Sequence, residues 1–160
     1  MKIAVSGKVD QVFFSFRGQQ LRYNFVSHLS DAFQRNEIKF FIDKDVKKGQ
    51  DLKNLFVRIE ESSIALAIFS TRYPDSRWCM DELVKMKKLV DQGNLLVIPI
   101  FYKVKAKDAR NPKCSSEFGR NFWKLAESVS STSRKYQIAH WLEALHYKKR
   151  VILQHRKLLQ

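Results

Sequence analysis

The residues SRWCMDEL (76–83) gather a tryptophan, a thiol and two carboxylates at what reads as the start of a helix. Polar residues ahead of Trp78 suit a helix cap, and Asp81 and Glu82 read as first-turn acids facing the positive end of the helix dipole. Cys79 falls in register with Leu83, Met86 and Val90, so it reads as a small buried hydrophobe rather than a nucleophile. Trp78 and Glu82 are four apart and share another face, while Asp81 is expected in solvent. Cys79 and Cys114 form no CxxC and have no His at ligand spacing, which argues against zinc, any other metal site and a disulfide framework. No Ser/His/Asp or Cys/His set has workable spacing for a protease or esterase. GxGxxG and Walker loops are both missing, which removes dinucleotide-fingerprint oxidoreductases and P-loop NTPases. What remains is one carboxylate beside one aromatic ring.

The elements that must position that pair are legible in the hydrophobic pattern. Four apolar runs, VFFSF (12–16), IKFFI (38–42), IALAIF (64–69) and LLVIPIFY (95–102), are short, rich in β-branched and aromatic residues, and nearly continuous. Strands of a parallel sheet covered on both faces read this way. Each gap has room for one helix, which implies right-handed β-α-β crossovers and a doubly wound sheet. Phe25, Leu29, Ala32 and Phe33 line one such helix, with Ser27 and His28 off its apolar centre. Leu52, Leu55, Phe56 and Ile59 line a second, and Cys79 to Val90 a third that ends near Gly93. Phe118, Phe122 and Leu125 predict a further helix and residues 136–145 another, with a weak fifth strand at 151–153. Ligands of such sheets bind at the C-terminal strand ends, which here carry Phe16-Arg17-Gly18, Asp43-Lys44, Ser70-Thr71 and Tyr102-Lys103.

At 160 residues the chain reads as one domain able to bury its own core. Residues 1–9 read as an N-terminal extension, 10–146 as the domain and 147–160 as a basic tail. No stretch has the length of a membrane span and no secretory h-region is visible, so a reducing, cytoplasmic setting is expected, with the nucleus as a further compartment. The net charge of +14 gathers partly at Lys103, Lys105, Lys107, Arg110 and Lys113. A solvated surface is the plain reading, and a patch for nucleic acid or another anion is the sharper one.

Several phrases, in order, resemble plant TIR (Toll/interleukin-1 receptor) domains: QVFFSFRG (11–18), FVSHL (25–29), FID…KKGQDL (41–52), RIEESSIALAIFS (58–70), SRWCMDEL (76–83) and VIPIFYKV (97–104). The chain is most similar to the TIR modules of plant intracellular immune proteins, as a TIR-only chain. The resemblance implies a flavodoxin-like, three-layer α/β/α fold with a parallel sheet of about five strands. It also implies an NAD+ nucleosidase, active on self-association in plant immune signalling, with NAD+ as substrate and no cofactor. In the family motif the catalytic carboxylate falls on Glu82. The resemblance makes Trp78 a ring-packing contact, Arg17 with Phe16 and Gly18 a phosphate-side loop, and Ser70 a ribose contact. Ser27 and His28 match the family's self-association pair, which makes other TIR domains the expected partners. After FRG the family commonly shows an acid and then Asp-Thr before Arg, whereas this chain has Gln19, Gln20 and Leu21. That departure motivates one alternative, a non-catalytic adaptor that binds other TIR domains, and the basic patches motivate another, a nucleic-acid-binding TIR protein.

Overall fold

A computed structural model of the chain describes residues 9–42, 52–129 and 136–146. Its centre is a parallel sheet of four strands: β1 (Val9–Ser15), β2 (Phe40–Ile42), β3 (Ser62–Phe69) and β4 (Leu96–Phe101), in the order β2-β1-β3-β4. Each of the four apolar runs forms one of these strands. Pairing is in register from Val12↔Phe40 and Val12↔Ile64 through Ser15↔Ala67, and from Ile64↔Leu96 to Phe69↔Phe101. The fifth strand expected at 151–153, the loop at 43–50 and the basic tail lie outside the described residues.

Helices cover both faces, because alternate side chains of every strand are apolar. On one face Val12, Phe14, Leu66 and Ile68 meet the helix α2 (Ser27–Arg35), through Leu29 and Phe33. This helix is entered through a short α1 (Gln19–Leu21) and a π-helical turn (Arg22–Val26). The wide turn has a sequence cause. Leu21 and Val26 are five apart and both buried, a spacing that π geometry, not α geometry, puts on one side.

On the other face Phe13, Ala65, Ala67, Phe69 and Val97 pack against α3 (Leu52–Glu61), α4 (Arg77–Asp91), α6 (Glu117–Ser128) and a helix α7 over 136–146. A short α5 (Ala106–Arg110) joins β4 to α6. The α4 stripe is as its spacing predicts: Cys79, Leu83 and Met86 are buried, and Val90 packs against the same core. Gly93, at φ +74, ends α4 with Asn94 N–H donating to Leu89 O and Gly93 N–H to Val90 O, a Schellman closure.

Candidate active site

Strand order reverses between β1 and β3, so their C-terminal ends form the topological switch point where doubly wound sheets hold ligands. β1 there delivers Ser15 and then Phe16-Arg17-Gly18. β3 delivers Ser70, followed by a 3-10 turn (Tyr73–Asp75) that leads into α4. Ser76 caps α4, its hydroxyl accepting from Cys79 N–H at 3.2 Å. Asn121 fastens the same connection, donating to Thr71 O at 2.7 Å.

Glu82 lies 4% exposed on α4, a carboxylate enclosed by the fold. With Arg77 as the first helical residue, Glu82 falls in the second turn, and α4 has no acid in its first. The expected help from the helix dipole is therefore weak, since it fades beyond the first turn. A hydroxyl does reach Glu82. Ser15 Oγ lies 3.4 Å from Glu82 Oε1 and 2.7 Å from the Tyr73 hydroxyl. Ser15 is 1% exposed and Tyr73 0%. Burial pushes the Tyr73 phenol well above its ordinary range, with the neighbouring Cys79 and Glu82 charges adding to the effect. Burial, then Glu82, likewise pushes up the Cys79 thiol, which donates to Phe16 O at 3.5 Å. Cys79 is thus held as an inert thiol.

The loop after β1 is tied to the turn before α4 by charge. Arg17 Nε and Arg72 Nε each donate to one oxygen of Asp75, both at 3.1 Å. Arg17, expected to face a ligand, pairs with Asp75 in this structure. The Phe16 ring packs beneath the Arg22 guanidinium, 5.2 Å from its centroid. Gly18 has φ +101, a conformation that side chains rarely adopt, so it permits the sharp exit from the strand. Among the described residues, Ser70 Oγ and Arg110 Nε are the buried side-chain polar atoms without a hydrogen-bond partner.

Trp78 is half-buried and packs against the main core. Asp81, expected in solvent, is half-buried and accepts from Trp141 Nε1–H of α7 at 3.2 Å. That bond pins the last described helix to α4. His28 is exposed and Ser27 half-buried at the start of α2, on the helix opposite the α4 side. Lys103, Lys105, Lys107 and Lys113 are exposed around α5. Among the described residues no group of three His, Cys, Asp or Glu could hold a metal ion, and no helix is long and apolar enough to cross a membrane.

The switch point therefore unites Arg17, Ser70 and Glu82 with three residues that sequence reasoning missed: Ser15, Tyr73 and Asp75. A signal for Ser15 existed, as the lone polar residue within VFFSF. Tyr73 and Asp75, in an unremarked turn, offered none.

Comparison with known proteins gives a concordant result. The TIR domain family matches residues 11–157. The disease resistance protein RBA1 of Arabidopsis thaliana is 53% identical over 137 residues, covering 86% of this chain and 36% of the relative. The disease resistance-like protein CSA1 of the same plant is 49% identical over 138 residues, covering 86% of this chain and 11% of the relative. The chain thus spans about a third of one curated relative and about a ninth of the other. Among solved structures, the TIR domains of the activated Roq1 resistosome, which directly recognises the pathogen effector XopQ, superpose with a TM-score of 0.74 at 30% identity. That match covers 95% of this chain and all of the other.

Proposed function

The chain belongs to the TIR domain family of plant immune proteins, and from that premise we propose that it is an NAD+ nucleosidase acting in immune signalling. The observation that carries the reading is Glu82, a carboxylate enclosed at the switch point of a parallel sheet, with a hydroxyl directed at it. Glycosidases commonly need two carboxyl groups, one to protonate the leaving oxygen. Nicotinamide needs no such acid. When the C1′–N bond of NAD+ breaks, the electron pair returns to the pyridinium nitrogen and a neutral ring departs. The positive charge then develops on C1′ and the ring oxygen, where an ionised Glu82 stabilises it. Water adds at C1′ and gives up a proton, leaving ADP-ribose.

The other residues of the site support binding and orientation. Ser70 Oγ, buried without a partner, suits a ribose hydroxyl. Arg17 suits the pyrophosphate, because its planar fork matches phosphate oxygens, once it exchanges Asp75 for the ligand. Phe16 and Gly18 shape that loop, and Trp78 flanks Glu82 one helical turn away. Ser27 and the exposed His28 offer a surface for other TIR domains, so activity is expected to rise with protein concentration. No cofactor is needed for this reaction.

The test is nicotinamide release by purified protein at high concentration. Glu82→Ala should abolish release while keeping the native circular dichroism spectrum. Wild type that releases none, even when concentrated, would sink the enzyme reading. One observation favours a second reading, a non-catalytic adaptor for other TIR domains: Arg17 is already occupied by Asp75. The same assay separates the two.

A further inference from the structure

The Ser15 hydroxyl has one proton and two neighbours that can accept it. Its oxygen is 2.7 Å from the Tyr73 hydroxyl and 3.4 Å from Glu82 Oε1, while the Tyr73 hydroxyl is also 3.3 Å from Cys79 O. Two wirings satisfy this geometry. In one, Tyr73 donates to the Cys79 carbonyl and Ser15 donates to Tyr73, so Ser15 offers Glu82 no proton. In the other, Tyr73 donates to Ser15 and Ser15 donates to Glu82. The second is favoured on two grounds. It directs the Tyr73 proton along the shorter contact, and it ends on a carboxylate, where a hydrogen bond is roughly twice as strong as between neutral groups. The Cys79 carbonyl loses little, because it lies within α4 and is served by the helix's own ladder.

We propose that Ser15 and Tyr73 are positioning residues for Glu82, with Tyr73 donating to Ser15 and Ser15 thereby donating to Glu82 Oε1. This rests on the reading of Glu82 as the catalytic carboxylate. The pair does what the helix dipole cannot do from the second turn: it favours the ionised form and fixes the carboxylate's orientation. All three members are enclosed, and their carriers are β1, the turn after β3, and α4. A local dielectric below that of water strengthens such a chain. Burial keeps the phenol protonated, so Tyr73 remains a donor throughout the neutral range. Tyr73 and Cys79 are among the ionisable groups that interact with Glu82, and Cys79 in turn feels Arg17 and Asp75. At 3.4 Å the last bond is long, since such bonds commonly measure about 2.5–3.0 Å. Catalytic hydrogen bonds often tighten only when substrate is bound.

Ser15→Ala and Tyr73→Phe each delete one oxygen and keep the remaining shape. The full chain labelled with 13C-glutamate is titrated by NMR, with the Glu82 signal assigned by its loss in Glu82→Gln. Ser15→Ala should raise the Glu82 carboxyl pKa by about one unit, as expected for losing one hydrogen bond to a charged group. Tyr73→Phe should raise it by about a tenth to a third as much, because Ser15 keeps its proton but loses the donor behind it. Nicotinamide release should show kcat lower by about tenfold in Ser15→Ala with KM within about twofold, the split expected of an interaction that matters chiefly in the transition state. An unshifted Glu82 titration in a folded Ser15→Ala or Tyr73→Phe chain overturns the proposal, and either variant alone decides if the other fails to fold. A shifted titration in a chain that releases no nicotinamide upholds the positioning and refutes the enzyme reading. An active wild type with unshifted variants does the reverse.

Discussion

Ser70→Ala should make the free protein more stable and its ligand weaker. The Ser70 hydroxyl is shut away from solvent and has no hydrogen-bond partner, although the residue as a whole is half-buried. Leaving a buried polar group unpaired costs about 1–3 kcal/mol, and partial burial of the residue argues for the low end, about 1 kcal/mol. Alanine removes the unpaired group and leaves a space of one oxygen. For a domain of this size a gain of about 1 kcal/mol raises Tm by about 2–4 °C. The same hydroxyl, if it bonds the substrate ribose, contributes about 0.5–1.5 kcal/mol to binding. Its loss then weakens dinucleotide affinity about two- to tenfold. Differential scanning fluorimetry in a Glu82→Gln background, where NAD+ is not consumed, reads both effects. The expected record is a higher Tm without NAD+ and a smaller NAD+-induced rise. A lower Tm in the alanine variant would refute the claim that the hydroxyl is unpaired. A higher Tm with an undiminished NAD+ response would refute its role as a ligand contact.

Two further outcomes follow from packing and charge. Gly119→Ala would set a Cβ 1.7 Å from Lys113 O, against backbone held by Gly119 N–H on Ser116 Oγ and by Trp123 Nε1–H on Pro112 O. Overpacking costs about 1–3 kcal/mol and the loosened cap about 1, against about 1 gained in helix propensity, so chemical denaturation should show a net loss of about 1–3 kcal/mol. Burial raises the Asp81 carboxyl pKa, opposed by the Trp141 hydrogen bond and Arg77, so the native state binds the proton more readily than the unfolded chain. The ionised group therefore costs stability at neutral pH, and the cost is relieved as pH falls through the folded value toward the ordinary one. Asp81→Asn keeps an acceptor for Trp141, so urea melts should show it at least as stable as wild type at pH 7, with the difference shrinking in acid; a less stable variant at pH 7 would contradict this.

The strands were readable because a parallel sheet covered on both faces makes its strands almost wholly apolar. The stripe from Cys79 to Val90 was readable because helical periodicity is a local property of the chain. Three features were not, and each failed for a physical reason. The π turn needed the knowledge that Leu21 and Val26 are buried together, which depends on β3 and β4 behind them. Asp81 looked solvated because its partner, Trp141, lies 60 residues away on α7. Glu82 looked like a first-turn acid until Ser76 was seen to be the cap, moving it one turn inward. Of the candidate site, the positions of Arg17 and Ser70 just past strand ends were legible from topology, whereas Ser15, the last residue of β1, was not singled out. Tyr73 and Asp75 were not legible, because a turn has no period from which to infer the direction of its side chains.

The site separates its polar groups into two tiers of opposite burial. Tyr73, Ser15 and Glu82 are enclosed, so moving any of them exposes or orphans a buried polar group. Arg17, Asp75 and Arg72 lie at the rim, where Arg72 is largely and Arg17 partly open to water. An ion pair so exposed is worth about 1 kcal/mol or less. A pyrophosphate competing for Arg17 would therefore have little to overcome, whereas Ser15 and Glu82 are shut away from solvent. Under the proposed function, recognition would fall to the tier that can exchange partners, and chemistry to the tier that cannot. A site divided in this way would admit an anionic ligand across its rim without disturbing the carboxylate that the proposed reaction sets against the developing cation.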